Sequence, residues 1–291
     1  MRRVATLAMI VNALALPAGL LPAAAEDPRY VPAAQTEATY RLTTVITING
    51  RETTAAQIYR VTVTASDGKI AEGTITPLAL IYRCPADETS KDCRAAPHFP
   101  GASRDGDMIT IPVPPEIGAN LAKLSKLTAH DFIRYAQVFP MPGPENLDEI
   151  DKPKISDAPL YLLGSAVECD DALTKGFFPL GIATEFTASC KTTSERAQSR
   201  VPAIKDGKSS EDLTMALSFA RRGHIAVPAG DFAVAEVKYK STPASGHGAF
   251  VEGEWAVAEN LGISVRNSAL VHLPNSQNTS HLTRELIKLG P

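Results

Sequence analysis

From residue 40 the chain alternates. Tyr40, Leu42, Thr44, Ile46 and Ile48 fall on one side of an extended backbone, and Arg41, Thr43, Val45 and Thr47 on the other. That period of two is what a half-buried strand shows. Asn49-Gly50 follows, and because both residues tolerate positive φ the pair predicts a tight hairpin. A second strand sets Tyr59, Val61 and Val63 against Arg60, Thr62 and Thr64, and Ser66-Asp67-Gly68 turns the chain again. A third β segment runs from Ile70 to Tyr82, in which Pro77 calls for an edge or a bulge because it donates nothing to a ladder.

Cys84 to Asp107 is polar, with three prolines, and reads as a loop leading into a short strand, Met108 to Val113. From Pro115 the period changes. Ile117, Leu121, Leu124 and Thr128 recur at helical spacing, with Pro115 suited to a first turn. Thr128 with Asp131 resembles a capping box and predicts a second short helix through Phe132 and Tyr135, ended by Pro140, Pro142 and Pro144. Residues 141–159 are acidic and proline-rich, a surface loop or a divider between two β subdomains.

Beyond it the β pattern returns. Leu160 to Cys169 and Ile182 to Cys190 predict strands, and Lys191 to Ser210 a polar loop. Leu213, Met215, Leu217 and Phe219 alternate with Thr214, Ala216, Ser218 and Ala220. Ala233, Ala235, Val237 and Tyr239 face away from Glu236, Lys238 and Lys240. Val251, Trp255 and Val257 share a face, as do Ile263, Val265, Ala269 and Val271. His281 to Leu289 fits a strand or a short helix. One-sided alternation through so many segments predicts a mainly β, α+β fold. Its expected form is a curved antiparallel sheet or half-barrel, with one or two short helices covering its inner face.

Ahead of this pattern stands a different one. Arg2 and Arg3 precede an apolar run from Val4 to Leu21, and small residues meet an A-x-A site at Ala23 and Ala25. These are the parts of a signal peptide, residues 1–25. Asn12, Pro17, Gly19 and Pro22 interrupt the run, which argues against a membrane anchor, and no later stretch is apolar enough to span. The expected mature chain, 26–291, is one β-rich domain or two β subdomains divided near 141–159. Without Arg2 and Arg3 it has 27 basic against 32 acidic residues, a net charge of −5, which gives no electrostatic footprint for nucleic acid.

In a periplasmic or secreted protein the four cysteines read as two local disulfides, Cys84–Cys93 and Cys169–Cys190, one of the three pairings that four cysteines allow. A metal site on Cys84, Cys93 and His98 has the wrong spacing and too few ligands. The sequence contains no G-x-S-x-G, H-E-x-x-H or phosphate-binding loop, and no catalytic residue, metal or cofactor is expected. Ser66 and Lys69 form S-x-x-K, but on a turn. The histidines at 98, 130, 224, 247, 272 and 281 are scattered. Glu252 and Glu254 share a strand face with Phe250, and the plain reading makes them the solvated side of the Trp255 strand.

Leu213 to Leu289 resembles a broad group of uncharacterised bacterial periplasmic β-rich domains. The matching residues are Val227-Pro228-Ala229-Gly230-Asp231-Phe232, Gly253-Glu254-Trp255, Leu261-Gly262-Ile263-Ser264-Val265-Arg266 and Glu285-Leu286. Some members are similar to the half-barrel of periplasmic lipoprotein carriers, in which a curved sheet and helices enclose an apolar cavity. The resemblance implies a fold and carries no catalytic residue.

Three functions follow as expectations. The first is a soluble exported binding protein with an apolar small molecule in a sheet–helix cavity lined by Leu121, Leu124, Ala233, Ala235, Val237, Tyr239 and Trp255. The second is an envelope protein that docks another protein and holds no ligand. The third is an envelope hydrolase. For all three, the intact mass of exported protein is expected to start at Glu26 or within a few residues. Recovery of the full-length chain in membranes would refute the signal reading.

Overall fold

The computed structural model describes residues 31–68, 70–87, 93–94, 96–116, 118–119, 127–130, 135–142, 160–169, 180, 184–197, 207–246, 250–272 and 279–290. The fold is mainly β. Its strands are β1 (Glu37–Ile48), β2 (Arg51–Ser66), β3 (Ile70–Arg83), β4 (Ser103–Asp105), β5 (Met108–Pro112), β6 (Leu127–His130) and β7 (Tyr135–Pro142). The second half adds β8 (Leu160–Cys169), β9 (Glu185–Ala197), β10 (Gly207–Val227), β11 (Gly230–Pro243), β12 (Phe250–Ala258), β13 (Ile263–His272) and β14 (Thr279–Gly290). They form one antiparallel sheet in the order β4-β5-β3-β2-β1-β14-β13-β12-β11-β10-β9-β8-β7, with β6 paired to β3. Most neighbours in the sheet are neighbours in sequence, and β1, the first described strand, pairs with β14, the last.

The hairpin chemistry holds. Asn49 and Gly50 both take positive φ, 51° and 76°, and Ile48 pairs with Arg51 across the turn. Pro77 lies in the gap on β3 between the stretch covered by β6, Ile70–Gly73, and the stretch covered by β5, Ala79–Arg83. There its missing N–H costs no ladder bond, and β3 bulges beside it, with Leu78 inserted between Pro77, paired with Tyr59, and Ala79, paired with Ile58.

Of the two helices expected over the sheet, the first is described only at its start, and strands stand where the second was expected. Residues 115–116 and 118–119 are helical, and Gly118 N–H donates to the Pro114 carbonyl at 2.9 Å, so a helical turn begins where Pro115 predicted one. Leu121 and Leu124 lie outside the described residues. Where the second helix was expected, Thr128 to His130 belong to β6 and Tyr135 opens β7, and Phe132 lies outside the described residues. An uncovered length of β3 offers Leu127–His130 a ladder, and tertiary pairing of this kind overrides local helical spacing. Pro140 and Pro142 are tolerated because β7 is an edge strand of the sheet path. Lys191 to Ser210 is also less of a loop than expected: β9 continues to Ala197 and β10 begins at Gly207, paired with Arg196. His281 to Leu289 is strand, held between β1 and β13.

The sheet curls. The β10–β11 hairpin bulges between Phe219 and Arg221, and its tip reaches β14, where Ala229 N–H donates to the Leu286 carbonyl at 3.3 Å. Around Leu286 gather Ala38, Tyr40, Tyr59, Ile75, Val234, Ala256, Ala258, Ile263 and Val265, all buried. Ile225, Val227, Ala229 and Phe232 of the hairpin tip pack against them. A second buried cluster joins Leu180, Ala188, Cys190, Met215, Leu217, Ala235 and Val237. A smaller one at the β3–β5 edge holds Cys84, Ala96, Ile109 and Ile111.

The first described residue, Val31, is buried with Val63 and Ala71, and its backbone lies against Gly262. Gly262 has φ +65°, and a Cβ there would collide with the Val31 carbonyl. Gly262→Ala is therefore expected to cost about 2 kcal/mol or more, from the left-handed backbone and from the displaced segment. Chemical denaturation measures the loss, and an unchanged midpoint would show that the contact contributes nothing.

Candidate functional site

Alternation gives the sheet a core face and a charged face. On the core face, register places Gln57, Leu42, Arg284, Asn267, Trp255 and Val237 in one row across β2, β1, β14, β13, β12 and β11. Tyr59, Tyr40 and Leu286 stand in the adjacent row. This row crosses the gap between the Leu286 cluster and the Leu217 cluster. Leu42, Gln57, Arg284, Asn267, Tyr239 and Trp255 are half-buried, whereas the centres of both clusters are sealed.

The strip has a definite chemistry. The Tyr239 and Trp255 rings stack at 4.4 Å, and the Tyr239 ring lies over Gly253, where a Cβ would meet the ring and hydroxyl at 2.8 Å. Tyr239 Oη and Asn267 Oδ1 are 3.3 Å apart, with the hydroxyl donating. The Arg284 guanidinium lies 5.3 Å from the centre of the Tyr40 ring, which stacks on Tyr59 at 5.6 Å. Gln57 Nε2 is buried and takes no hydrogen-bond partner. Burial pushes the Tyr40 hydroxyl up to about 12; Arg284 acts against this and Tyr59 with it.

Of the residues expected to line a cavity, Ala235 and Val237 are buried in the Leu217 cluster, and Tyr239 and Trp255 pack at its margin. Ala233 stands apart from them, exposed to solvent. The hairpin tip buries the opposite face of β11, through Phe232 and Val234, so the face carrying Ala233 is left outside. Leu180 caps the Leu217 cluster. Arg222 Nη2 donates to its carbonyl at 2.7 Å while Arg222 Nε donates to Glu259 at 2.8 Å.

Gln57, Arg284 and Asn267 were not among the residues the sequence marked. The signal was present in part. Read as a strand, β14 puts Arg284 between Leu282 and Leu286 on the apolar side, a charge at a core position. Reading the same segment as a helix hides it.

The charged face behaves as solvated surface. Glu252 and Glu254 are exposed, Lys238 Nζ lies 3.7 Å from Glu254, and His272 Nε2 lies 3.1 Å from Glu252. Phe250 stacks on His272 at 4.1 Å. An open depression of about 570 Å³ crosses β9–β12 here, bordered by Glu185, Lys238, Lys240, Glu252 and Glu254. His281 Nε2 is 3.0 Å from Ser268 Oγ, and His224 is 3.7 Å from Asp231. Among the described residues no three metal-ligating side chains come together.

Both disulfides form as paired in the sequence reading, Cys84–Cys93 and Cys169–Cys190, the latter directly across the β8–β9 ladder. Such bonds persist in oxidising compartments, and the protein is a periplasmic or secreted one. No protein-family profile and no curated protein sequence matches the chain. Two solved structures are similar to it. One is a candidate lipoprotein of Parabacteroides distasonis, 14% identical, with a TM-score of 0.36. The other is a candidate exported protein of Bacteroides fragilis with a YmcC-like fold, 12% identical, with a TM-score of 0.34. Each alignment covers 91% of this chain and all of the other. At these scores the likeness says nothing about ligand or partner.

Tyr40 gives a pH test. Its folded-state pKa is raised from 10.0 to about 12, so the stability it contributes is fully present below pH 10 and is lost as pH rises towards 12. The loss attributable to Tyr40 is expected to be about 2 to 3 kcal/mol. Urea denaturation at pH 9 and pH 12 should show a smaller fall for Tyr40→Phe than for the parent protein. Identical falls would mean that Tyr40 is not the group responsible.

Proposed function

We propose that the protein is an exported binding protein that holds an amphiphilic molecule on the core face, along the strip between its two sealed clusters. The half-burial of Leu42, Tyr239 and Trp255 beside Gln57, Asn267 and Arg284 carries this reading. Side chains of a finished core are packed to near-complete exclusion of solvent, as Leu217, Val237 and Leu286 are here. The strip instead offers apolar and aromatic surface with a few fixed polar groups, the composition of small-molecule sites. The ligand is then broader in character than the purely apolar one first expected, because polar groups share the row.

A second reading is favoured by the depression on the charged face. Its two lysines and three glutamates suit docking of an oppositely patterned protein surface, which would make the molecule an envelope interaction protein. In that case Lys238→Glu with Lys240→Glu would abolish partner binding and leave the core-face strip untouched.

The first reading has a built-in reporter, since Trp255 is the sole tryptophan. Titration with dodecanol is expected to change Trp255 emission saturably, and Leu42→Asn to weaken the response several-fold. Protein purified without detergent should also release an amphiphile into organic solvent. Flat emission together with empty extracts would refute the core-face site.

A further inference from the structure

Resting on the core-face reading, we infer that the ligand presents a neutral carbonyl oxygen, of an ester or an amide, and that the Asn267 side chain receives it. Asn267 stands on the core face of β13 between the buried Val265 and Ala269, where alternation would place another apolar side chain. A side-chain amide at such a position is costly unless its hydrogen bonds are made. Its oxygen has a partner, since the Tyr239 hydroxyl donates to Oδ1 at 3.3 Å. Nδ2 carries two further donors, and among the described residues the bond from Tyr239 is the only one Asn267 makes. Asn267 is half-buried, so these donors lie within reach of a bound molecule.

Three strands cooperate to hold this amide. Tyr239 of β11 stands opposite Gly253 of β12, and its ring crosses that glycine, where a Cβ would meet the ring and hydroxyl at 2.8 Å. The ring stacks on Trp255 at 4.4 Å, and Trp255 stands directly opposite Asn267 on the β12–β13 ladder. The glycine gives the ring its path, the indole fixes its plane, and the hydroxyl at its end fixes the amide. The N–H pair is therefore oriented before a ligand arrives, which lowers the ordering cost of binding.

The chemistry of the complement follows. With Oδ1 held by Tyr239, what Asn267 has left to offer is a pair of donors, and their complement is an acceptor. A carbonyl accepts only, so it brings no proton that needs a partner of its own. It also carries no net charge into a half-buried row, where an ion would lose hydration. Leu282, opposite Ala269, and Leu42, opposite Arg284, are half-buried apolar side chains along which the ligand's hydrocarbon chain would lie.

The experiment compares methyl dodecanoate, N-methyldodecanamide and dodecyl methyl ether, which have matched chains and differ at the carbonyl, with dodecanoate as the charged counterpart. Binding is read at neutral pH by Trp255 emission and by calorimetry. The ester or the amide is expected to bind about tenfold tighter than the ether, the scale of one hydrogen bond, and the tighter of the two names the linkage. Asn267→Leu should bring carbonyl compounds and ether to within about twofold. Asn267→Asp, of the same shape but without the N–H pair, should do the same and serves where the leucine variant does not fold. Tyr239→Phe keeps the ring and removes the hydroxyl that orients the amide, so it should narrow the preference to about threefold. Equal binding of ether, ester and amide by the parent protein would overturn the carbonyl assignment and leave the core-face site standing. Dodecanoate binding tenfold tighter than both neutral carbonyl compounds would overturn the neutral head group. No binding of any of the four would overturn the site itself. Parent-like discrimination in a folded Asn267 variant would overturn the role of Asn267.

Discussion

Leu286 is fully buried between Tyr40 on β1 and the tip of the β10–β11 hairpin, whose Ala229 N–H reaches its carbonyl. Much else depends on that contact. A long sheet with one apolar face has too much of that face for water, and it must cover it either with other elements or with itself. Here the longest hairpin bends at its bulge and lays Ile225, Phe232 and Val234 over β14 and β1. The first and last described strands are joined by the β1–β14 ladder in the same place, so the contact that curls the sheet also lies where these strands pair. Val31 and Gly262 seal the neighbouring corner.

The motifs that carried the resemblance to periplasmic domains turn out to be parts of this one packing arrangement. Val227 to Phe232 forms the hairpin tip, Leu261 to Val265 supplies the Gly262 turn and two buried residues, and Glu285-Leu286 supplies the centre. Gly253 opens room for the Tyr239 ring beside Trp255. Each short motif is thus explained by backbone conformation and burial. None of these roles requires chemistry.

Curling also decides where the sheet is left incomplete. The Leu286 cluster and the Leu217 cluster are distinct, and the row runs from Leu42, packed against the first, to Trp255 and the buried Val237 of the second. Polar side chains stand there half-buried, with Gln57 Nε2 itself closed off from solvent, and aromatic ones have space because of stacking and a glycine opposite. The charged face is spared the same demand. Its cross-strand pairs, Lys238 with Glu254 and Arg266 with Glu285, keep it wetted.

The sequence by itself marked most of the long strands of both halves, the Asn49-Gly50 turn, the preference for local cysteine pairs and the two-faced character of the sheet. These are legible because alternation, positive-φ residues and short loop closures act over a few neighbouring residues. It misjudged Thr128 to Tyr135, where helical spacing lost to an open length of β3 more than fifty residues earlier in the chain. It also placed Ala233 with Ala235, since nothing local shows that a hairpin tip will bury its opposite face. Arg284 was visible as a charge between two leucines, but only the register of β14 against β1 and β13 puts it in a row with Gln57 and Asn267. Which residues share a face is written in the period of each strand. Which faces meet is decided by bulges and long-range pairing, because those set the register and the bend that no single segment contains.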